Sequence, residues 1–467
     1  MVSLTESYAL NVQYFAAGVR AEESFDILTR TLTVGPDEVT LYYIDGFVKD
    51  AELQKLMQYF LSQKEIGTPE EFLPRLPQME TATVRVAEEL PRALLSGQCV
   101  MFSSRFGAAA VVMDIRTYPA RGVGEPESDK VMQGARDGFV ETLITNTVLI
   151  RRRIRDPRLT MRQVTLGGAS QTDVVVCYMD GVAEPSYVEG ILHKLRSLRT
   201  KSLTLGFQSL AESLIRTGWW NPFPKIRTTE RPDTAAAQVL EGSVLVLCDT
   251  SPQVMILPTS LLDYLQQTDD YYYPPLTGTY LRLVRTFILL LSVVSIPLWY
   301  LALQNAEILP PALAFLIPDE PGALPILLQL YLAEIAIDGL KIASMNTPDM
   351  LSNSLSVVGA LLLGDFAVGV GWFCEDVILY MAFVAIANFA QQNHELGYAF
   401  KFMRMLILAL TALAGVWGFG AGLALFCFFA ATNRTIEGKY RYLYPLIPWN
   451  GNAMRHLLFR TKKEDFE

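Results

Sequence analysis

Residues 283–304 read LVRTFILLLSVVSIPLWYLALQ, an apolar run whose only charge is Arg285. As a helix it would extend about 33 Å at 1.5 Å per residue, enough to cross the hydrocarbon of a bilayer. Tyr271, Tyr272, Tyr273 and Tyr280 precede it, as an interfacial aromatic belt would, and Pro297 predicts a kink. Between Arg285 and Lys401 the chain carries ten carboxylates and one cation, Lys341, among Leu, Ala, Ile, Val and Phe. Basic residues return at Arg434, Lys439, Arg441, Arg455, Arg460, Lys462 and Lys463. Apolar stretches flanked by Arg and Lys read as a membrane domain, here residues 281–430, followed by a basic tail, 431–467. Acids inside such a region are expensive, so each is a functional candidate.

Composition agrees with a partly embedded chain. It has 467 residues, 51% of them hydrophobic, and a mean hydropathy of +0.25. A net charge of −9 argues against nucleic acid as a partner. Cys99, Cys177, Cys248, Cys374 and Cys427 are scattered, and the three histidines share no ligand spacing with them. Neither a disulfide framework nor a metal site is expected, and no cofactor motif is evident. The start, MVSLTESYALNVQYF, lacks a basic segment and apolar core, so no cleaved signal is expected. Arg282 and Arg285 before the first apolar run then place the preceding half, and the tail, in the cytoplasm.

That preceding half looks duplicated. Residues 37–60, DEVTLYYIDGFVKDAELQKLMQYF, and 172–195, TDVVVCYMDGVAEPSYVEGILHKL, each give an apolar strand, a Tyr-x-Asp-Gly turn and an amphipathic helix. Asp45-Gly46 and Asp180-Gly181 are read as equivalent structural turns. Each unit is followed by a Gly and a strand–turn–strand pattern, QCVMFSS with AAAVVMDIR, and SVLVLCD with QVMILP. The expected fold is an α/β portion of two similar subdomains, 1–165 and 166–280, ahead of an all-α membrane domain. Between the units, apolar spacing predicts a long helix over 133–160, stopped by Pro157. Its Arg151, Arg152, Arg153 and Arg155 suit either phosphate, acidic lipid or a salt-bridged surface. Gly167-Gly168 reads as a turn, since no phosphate-binding loop surrounds it.

In the membrane half, further apolar segments are 324–345, 355–373, 376–390 and 402–430. With both ends cytoplasmic the number of crossings must be even. The segment 324–345 is the weakest. It sets Glu334, Asp338 and Lys341 on one helical face, which can line a water-filled path or lie in the interface. Four spans are therefore expected, at the cost of leaving Lys401 and Arg404 outside. Segment 355–373 puts Ser356, Ala360, Gly364, Ala367 and Gly371 on one face, suited to close helix packing within the chain or around an oligomer axis. Asp365 lies beside that face, and Val358 in the same segment joins Glu334, Asp338, Lys341 and Asp365 as an ion-path candidate. Gly415, Gly418 and Gly422 form a second close-packing face.

The segment QGARDGFVETLITNTVLIRRRI (133–154) resembles the G-P-R-E-G-F-x-E-x-x-x-x-N-x-x-L-I-R-R-R-I core of the GerA family of spore germination proteins. Agreement continues in the YIDG turn, NPFPKIRTTERPD (221–233), EGSVLVLCDTSP (241–252) and SVVGALLLG (356–364). Family nutrient receptors typically carry R-E-A-x-x-R-x-P where this chain has Ile-Asp-Gly-Leu-Lys (337–341), and Asp365 replaces a usual Gln. The resemblance implies a site of action in the spore inner membrane, a role in germination, and assembly of copies into an oligomeric channel, a pentamer-like ring among the arrangements, with other spore membrane proteins and the lipid bilayer as partners. No nucleophile–base pair or metal cluster assembles locally, so a non-enzymatic subunit is expected. The excess of carboxylates predicts a cation path. A scaffold that conducts nothing and a secondary transporter are the rivals.

Overall fold

In the computed structural model, which describes residues 3–77, 80–116, 134–215, 220–267, 269–345, 367–391, 393–433, 436 and 442–459, the strands form two sheets of one plan. The first contains β1 (Ile27–Val34), β2 (Asp37–Ile44), β3 (Thr81–Val84), β4 (Cys99–Ser103) and β5 (Ala110–Met113), ordered β1-β2-β4-β5-β3 and antiparallel throughout. The second contains β6 (Leu159–Leu166), β7 (Thr172–Met179), β8 (Arg227–Thr229), β9 (Val244–Cys248) and β10 (Val254–Leu257), ordered β6-β7-β9-β10-β8. Helices repeat too. α1 (Tyr8–Val19), α2 (Asp50–Ser62) and α3 (Glu89–Leu95) correspond to α4 (Leu143–Arg153), α5 (Pro185–Ser197) and α6 (Pro232–Leu240). The duplication is thus a property of topology. An offset of 135 residues separates Asp37 from Thr172, Asp45 from Asp180 and Asp50 from Pro185, the starts of β2 and α2, their counterparts, and the turn between.

Continuous apolar runs in β4 and β5 follow from helices on both faces of the sheet. Because strand side chains alternate, Cys99 and Met101 pack with Leu53, Leu56 and Phe60 of α2, while Val100 and Phe102 pack with Phe15 and Val19 of α1 and Leu90 and Leu94 of α3. The hairpin β1–β2 turns on Gly35-Pro36, with Gly35 at φ +58°. Its counterpart β6–β7 spends residues 167–171 on the same connection, with Gly167 at φ +87°. The Gly167-Gly168 pair is therefore part of a turn.

The helix expected over 133–160 is shorter, Leu143–Arg153. The Asn146 amide explains the late start. It accepts from the Val140 N–H (2.8 Å) and donates to the Val140 carbonyl (2.6 Å), while the Phe139 N–H donates to Glu230 (2.7 Å). These bonds hold residues 139–140 outside the helix. The chain divides into two units, Met1–Thr217 with Ile226–Thr259 and Thr435–Lys439, and Gly218–Lys225 with Ser260–Arg434 and Tyr440–Glu467.

The second unit is helical: α7 (Pro275–Gln304), α8 (Ile326–Met345), α9 (Glu375–Phe389), α10 (His394–Thr432) and α11 (Gly451–Leu458). Among the described residues α7 and α10 are long and apolar enough to cross a membrane. α10 is not one rod, however. Gly415 sits at φ +56°, ψ −130°, outside helical geometry. In a straight helix Phe400 and Phe426 would stand about 39 Å apart at 1.5 Å per residue. Their ring centroids are 5.5 Å apart. A Cβ on Gly418 would lie 1.8 Å from the Leu410 carbonyl oxygen, and one on Gly422 2.9 Å from the Ile407 Cα. The element is an antiparallel helical hairpin bent at Gly415. The apolar segment read over 402–430 is thus bent at Gly415 rather than one straight helix. A glycine is required at the bend for its backbone angles, and at 418 and 422 for close approach.

Candidate charge network

Four charged side chains meet between α8 and the first arm of α10. α8 carries Glu334 and Asp338 one turn apart, and the arm carries Lys401 and Arg404 three residues apart, so each pair shares a face. The two helices run antiparallel, as a ladder of contacts shows. The Tyr331 hydroxyl donates to the Met405 carbonyl (2.8 Å), and Arg404 Nε donates to Glu334 Oε1 (2.8 Å). Lys401 Nζ pairs with Asp338 and with Glu334 Oε2 (3.3 Å), and Lys341 Nζ lies 4.9 Å from the Tyr398 ring centroid. Lys401 also donates to the Glu334 carbonyl (3.1 Å), and Arg404 Nη1 to the Ser292 carbonyl of α7 (3.2 Å). Glu334, Lys401 and Arg404 are buried. Two acids face two bases, so the four side chains sum to zero charge.

This changes the reading of the face at Glu334, Asp338 and Lys341. Its two carboxylates are not free groups awaiting an ion. The ten-to-one count that favoured cations stopped at Lys401, and so left out both cations that answer them. Spacing of i and i+4 on one helix and of i and i+3 on the other puts each pair on one face, but nothing local shows that the two faces meet. A cleft beside the network is lined by Asp338, Lys341, Asn388, His394, Tyr398 and Lys401.

A second cluster lies at Asp270, which is fully buried. Arg282 Nε (3.2 Å) and Arg285 Nη2 (3.1 Å) both donate to its carboxylate, and Arg282 Nη1 donates to the Leu457 carbonyl (2.8 Å). The arginines expected as a flanking charge are held by this acid, which sequence reasoning missed.

Of the small-residue face, Ser356, Ala360 and Gly364 fall outside the described residues, as do Val358 and Asp365. The described helical residues Ala367–Gly369 end at Gly369, and Gly371 follows at φ +77°. Gly371 is therefore not on a helical face, contrary to the spacing argument. Asp319 and Glu320 lie in the connection before α8.

In the α/β unit, the two Asp-Gly turns make matching bonds. The Asp45 N–H donates to the Asp26 carbonyl (2.8 Å) and the Asp180 N–H to the Arg158 carbonyl (2.9 Å), and Gly46 and Gly181 take φ of +78° and +77°. Their surroundings differ. Burial, then the Asp50 charge, raises the Asp45 carboxyl above its ordinary value, whereas Asp180 pairs with Arg20. Of the arginines considered for phosphate, Arg151 is wholly buried and bidentate to Asp26, at 2.8 and 3.1 Å, with Ser24 and the Leu159 carbonyl beside it. Arg153 pairs with Asp137 (2.6 Å). These two join the chain internally, and Arg152 and Arg155 stay exposed. Burial pushes the thiols of Cys99 and Cys177 up to about 12, so neither is a nucleophile at neutral pH.

Similarity to known proteins adds the biological setting. The chain is 36% identical over 462 residues to stage V sporulation protein AF of Bacillus subtilis, covering 97% of this chain and 92% of that protein. It is 26% identical over 380 residues to spore germination protein A1 of the same organism, covering 80% and 78%. The crystal structure of the N-terminal domain of the A subunit of the Bacillus megaterium spore germinant receptor GerK3 aligns at 22% identity and a TM-score of 0.40, over 55% of this chain and 96% of that one. With the family model for the Bacillus/Clostridium GerA spore germination protein matching residues 17–467, the chain belongs to the GerA family.

Proposed function

We propose that the protein is a non-enzymatic subunit of an ion-conducting complex in the spore inner membrane that acts in germination. Copies of the chain and other spore membrane proteins would complete it. In this reading residues 1–165 and 166–280 are cytoplasmic subdomains, 281–430 lie in the bilayer, and 431–467 form a cytoplasmic tail. The observation that carries it is the network of Glu334, Asp338, Lys401 and Arg404, set among apolar helices whose outer surfaces expose Phe287, Leu290, Leu379, Ile386 and Phe389. An apolar exterior of that extent suits lipid, and charge inside it calls for a purpose. Because the network is neutral, cation preference rests on Asp365 and on any carboxylate released from its partner, with Val358 and the face from Ser356 to Gly371 as further candidates for the path.

The complete pairing favours a second reading, a scaffold in which the network only fastens α8 to α10. Conductance of the purified protein in liposomes separates the two. If the network borders a path, Asp338→Asn shifts flux or reversal potential while the oligomer stays intact. If it is a fastener, the parent conducts nothing, or the variant conducts as the parent does.

A further inference from the structure

The helices of the second unit fix their directions relative to one another. α7 and the first arm of α10 run in parallel: Arg404 reaches the Ser292 carbonyl, and further along Gln304 Nε2 donates to the Ala412 carbonyl (3.3 Å). His394 therefore begins near the level of Arg282, and Gly415 lies beyond the end of α7. α8 runs the opposite way, by its ladder to the first arm. α9 runs with α8, since the Cys374 N–H donates to Gln329 Oε1 (2.9 Å) at one end, and Asn388 and Phe389 share a cleft with Lys341 and His394 at the other. Beyond Gly415 the chain returns along itself to Thr432. The first arm, residues 394–414, extends about 31 Å, and the second, 416–432, about 25 Å. Each is close to the thickness of a hydrocarbon core.

We infer that the apolar stretch 394–432 crosses the bilayer twice, with its bend at Gly415 on the side opposite Arg282. The inference rests on the membrane reading above and extends it. The bend presents Leu413, Val416 and Trp417, 84%, 61% and 87% exposed, and a Trp at that level belongs in the headgroup interface of the far leaflet. The partner of the tip is thus lipid. Lys401 and Arg404 lie within a crossing arm, paired to α8, rather than outside the membrane. His394 and Thr432 face the compartment of Arg282, so the tail returns to the side from which α7 departs. This agrees with the bond from Arg282 to Leu457.

Single cysteines test this in the full-length chain, in a background with the exposed Cys427 replaced by Ser. His394→Cys, Thr432→Cys and Trp417→Cys are placed at exposed positions, so packing is undisturbed. Sealed membrane vesicles of known orientation are treated with a membrane-impermeant maleimide, before and after permeabilisation, with Tyr14→Cys reporting the side of the α/β unit. The expected result is labelling of 394, 432 and 14 from one side and of 417 only from the other. Labelling of 394 and 432 from opposite sides would establish a single crossing and overturn the inference. Labelling of all four from one side would do the same, because 394–432 would then not cross the bilayer at all. A charge path lost in liposomes with the two-sided pattern retained would refute the proposed function alone.

Discussion

Replacing Gly46 and Gly181 by alanine separates two turns that are alike in backbone and unlike in surroundings. Both glycines sit near φ +77°, where an L-residue costs about 1–2 kcal/mol. Gly181→Ala should lose about that and no more, because nothing lies within 4 Å of the added carbon. At Gly46 the new Cβ would meet Val148 Cγ2 at 2.5 Å and Ile144 Cγ2 at 3.0 Å. Val148 is buried and stiff at χ1, so the contact is relieved only by moving α4 or the turn. Overpacking of this kind typically costs a further 1–3 kcal/mol or so. Gly46→Ala should therefore be the more damaging by roughly 1–3 kcal/mol. Urea titration of the detergent-solubilised chain, read by pulse proteolysis of the α/β unit, measures both. The double variant Gly46→Ala with Val148→Ala should cost less than the sum of its parts, since the truncated side chain no longer meets the new carbon. Equal losses at the two glycines, or strict additivity in the double variant, would refute the packing argument and leave the shared backbone angle as the whole effect.

Further outcomes are expected elsewhere. Arg151→Met strands the Asp26 carboxylate in the interior and should cost about 3–5 kcal/mol by the same assay, more than Arg155→Met at an exposed position. Asp45→Asn should raise stability at neutral pH. Burial lifts the folded-state pKa above the unfolded value, so the charged form opposes folding above that pKa. The gain from the amide should shrink as pH falls through it toward the unfolded value, whereas a gain that grows toward low pH would contradict the sign. In the hairpin, Gly418→Ala should force the arms apart and lower the detergent-phase melting temperature, while Gly420→Ala, with nothing within 4 Å, should leave it unchanged.

Local sequence carried the α/β duplication a long way. The apolar runs of β2 and β7, the Asp-Gly pairs with their left-handed glycines, and the amphipathic faces of α2 and α5 are short-range properties, and run length, turn residues and a period of 3.6 report them directly. The first apolar helix was legible for the same reason. What sequence could not reveal was which charges answer which. Glu334 and Lys401 are 67 residues apart, and only the antiparallel docking of α8 on α10 turns a face of apparent ion ligands into a neutral network. Arg151 looked like a surface cation, because its partner, Asp26, is 125 residues away. The bend at Gly415 was hidden by hydropathy, which is blind to direction: an apolar run long enough for one crossing and a hairpin of two arms have the same composition. Backbone angles at one glycine and the close approach allowed by two others decide between them. These are tertiary facts, set when the arms pack and Phe400 meets Phe426.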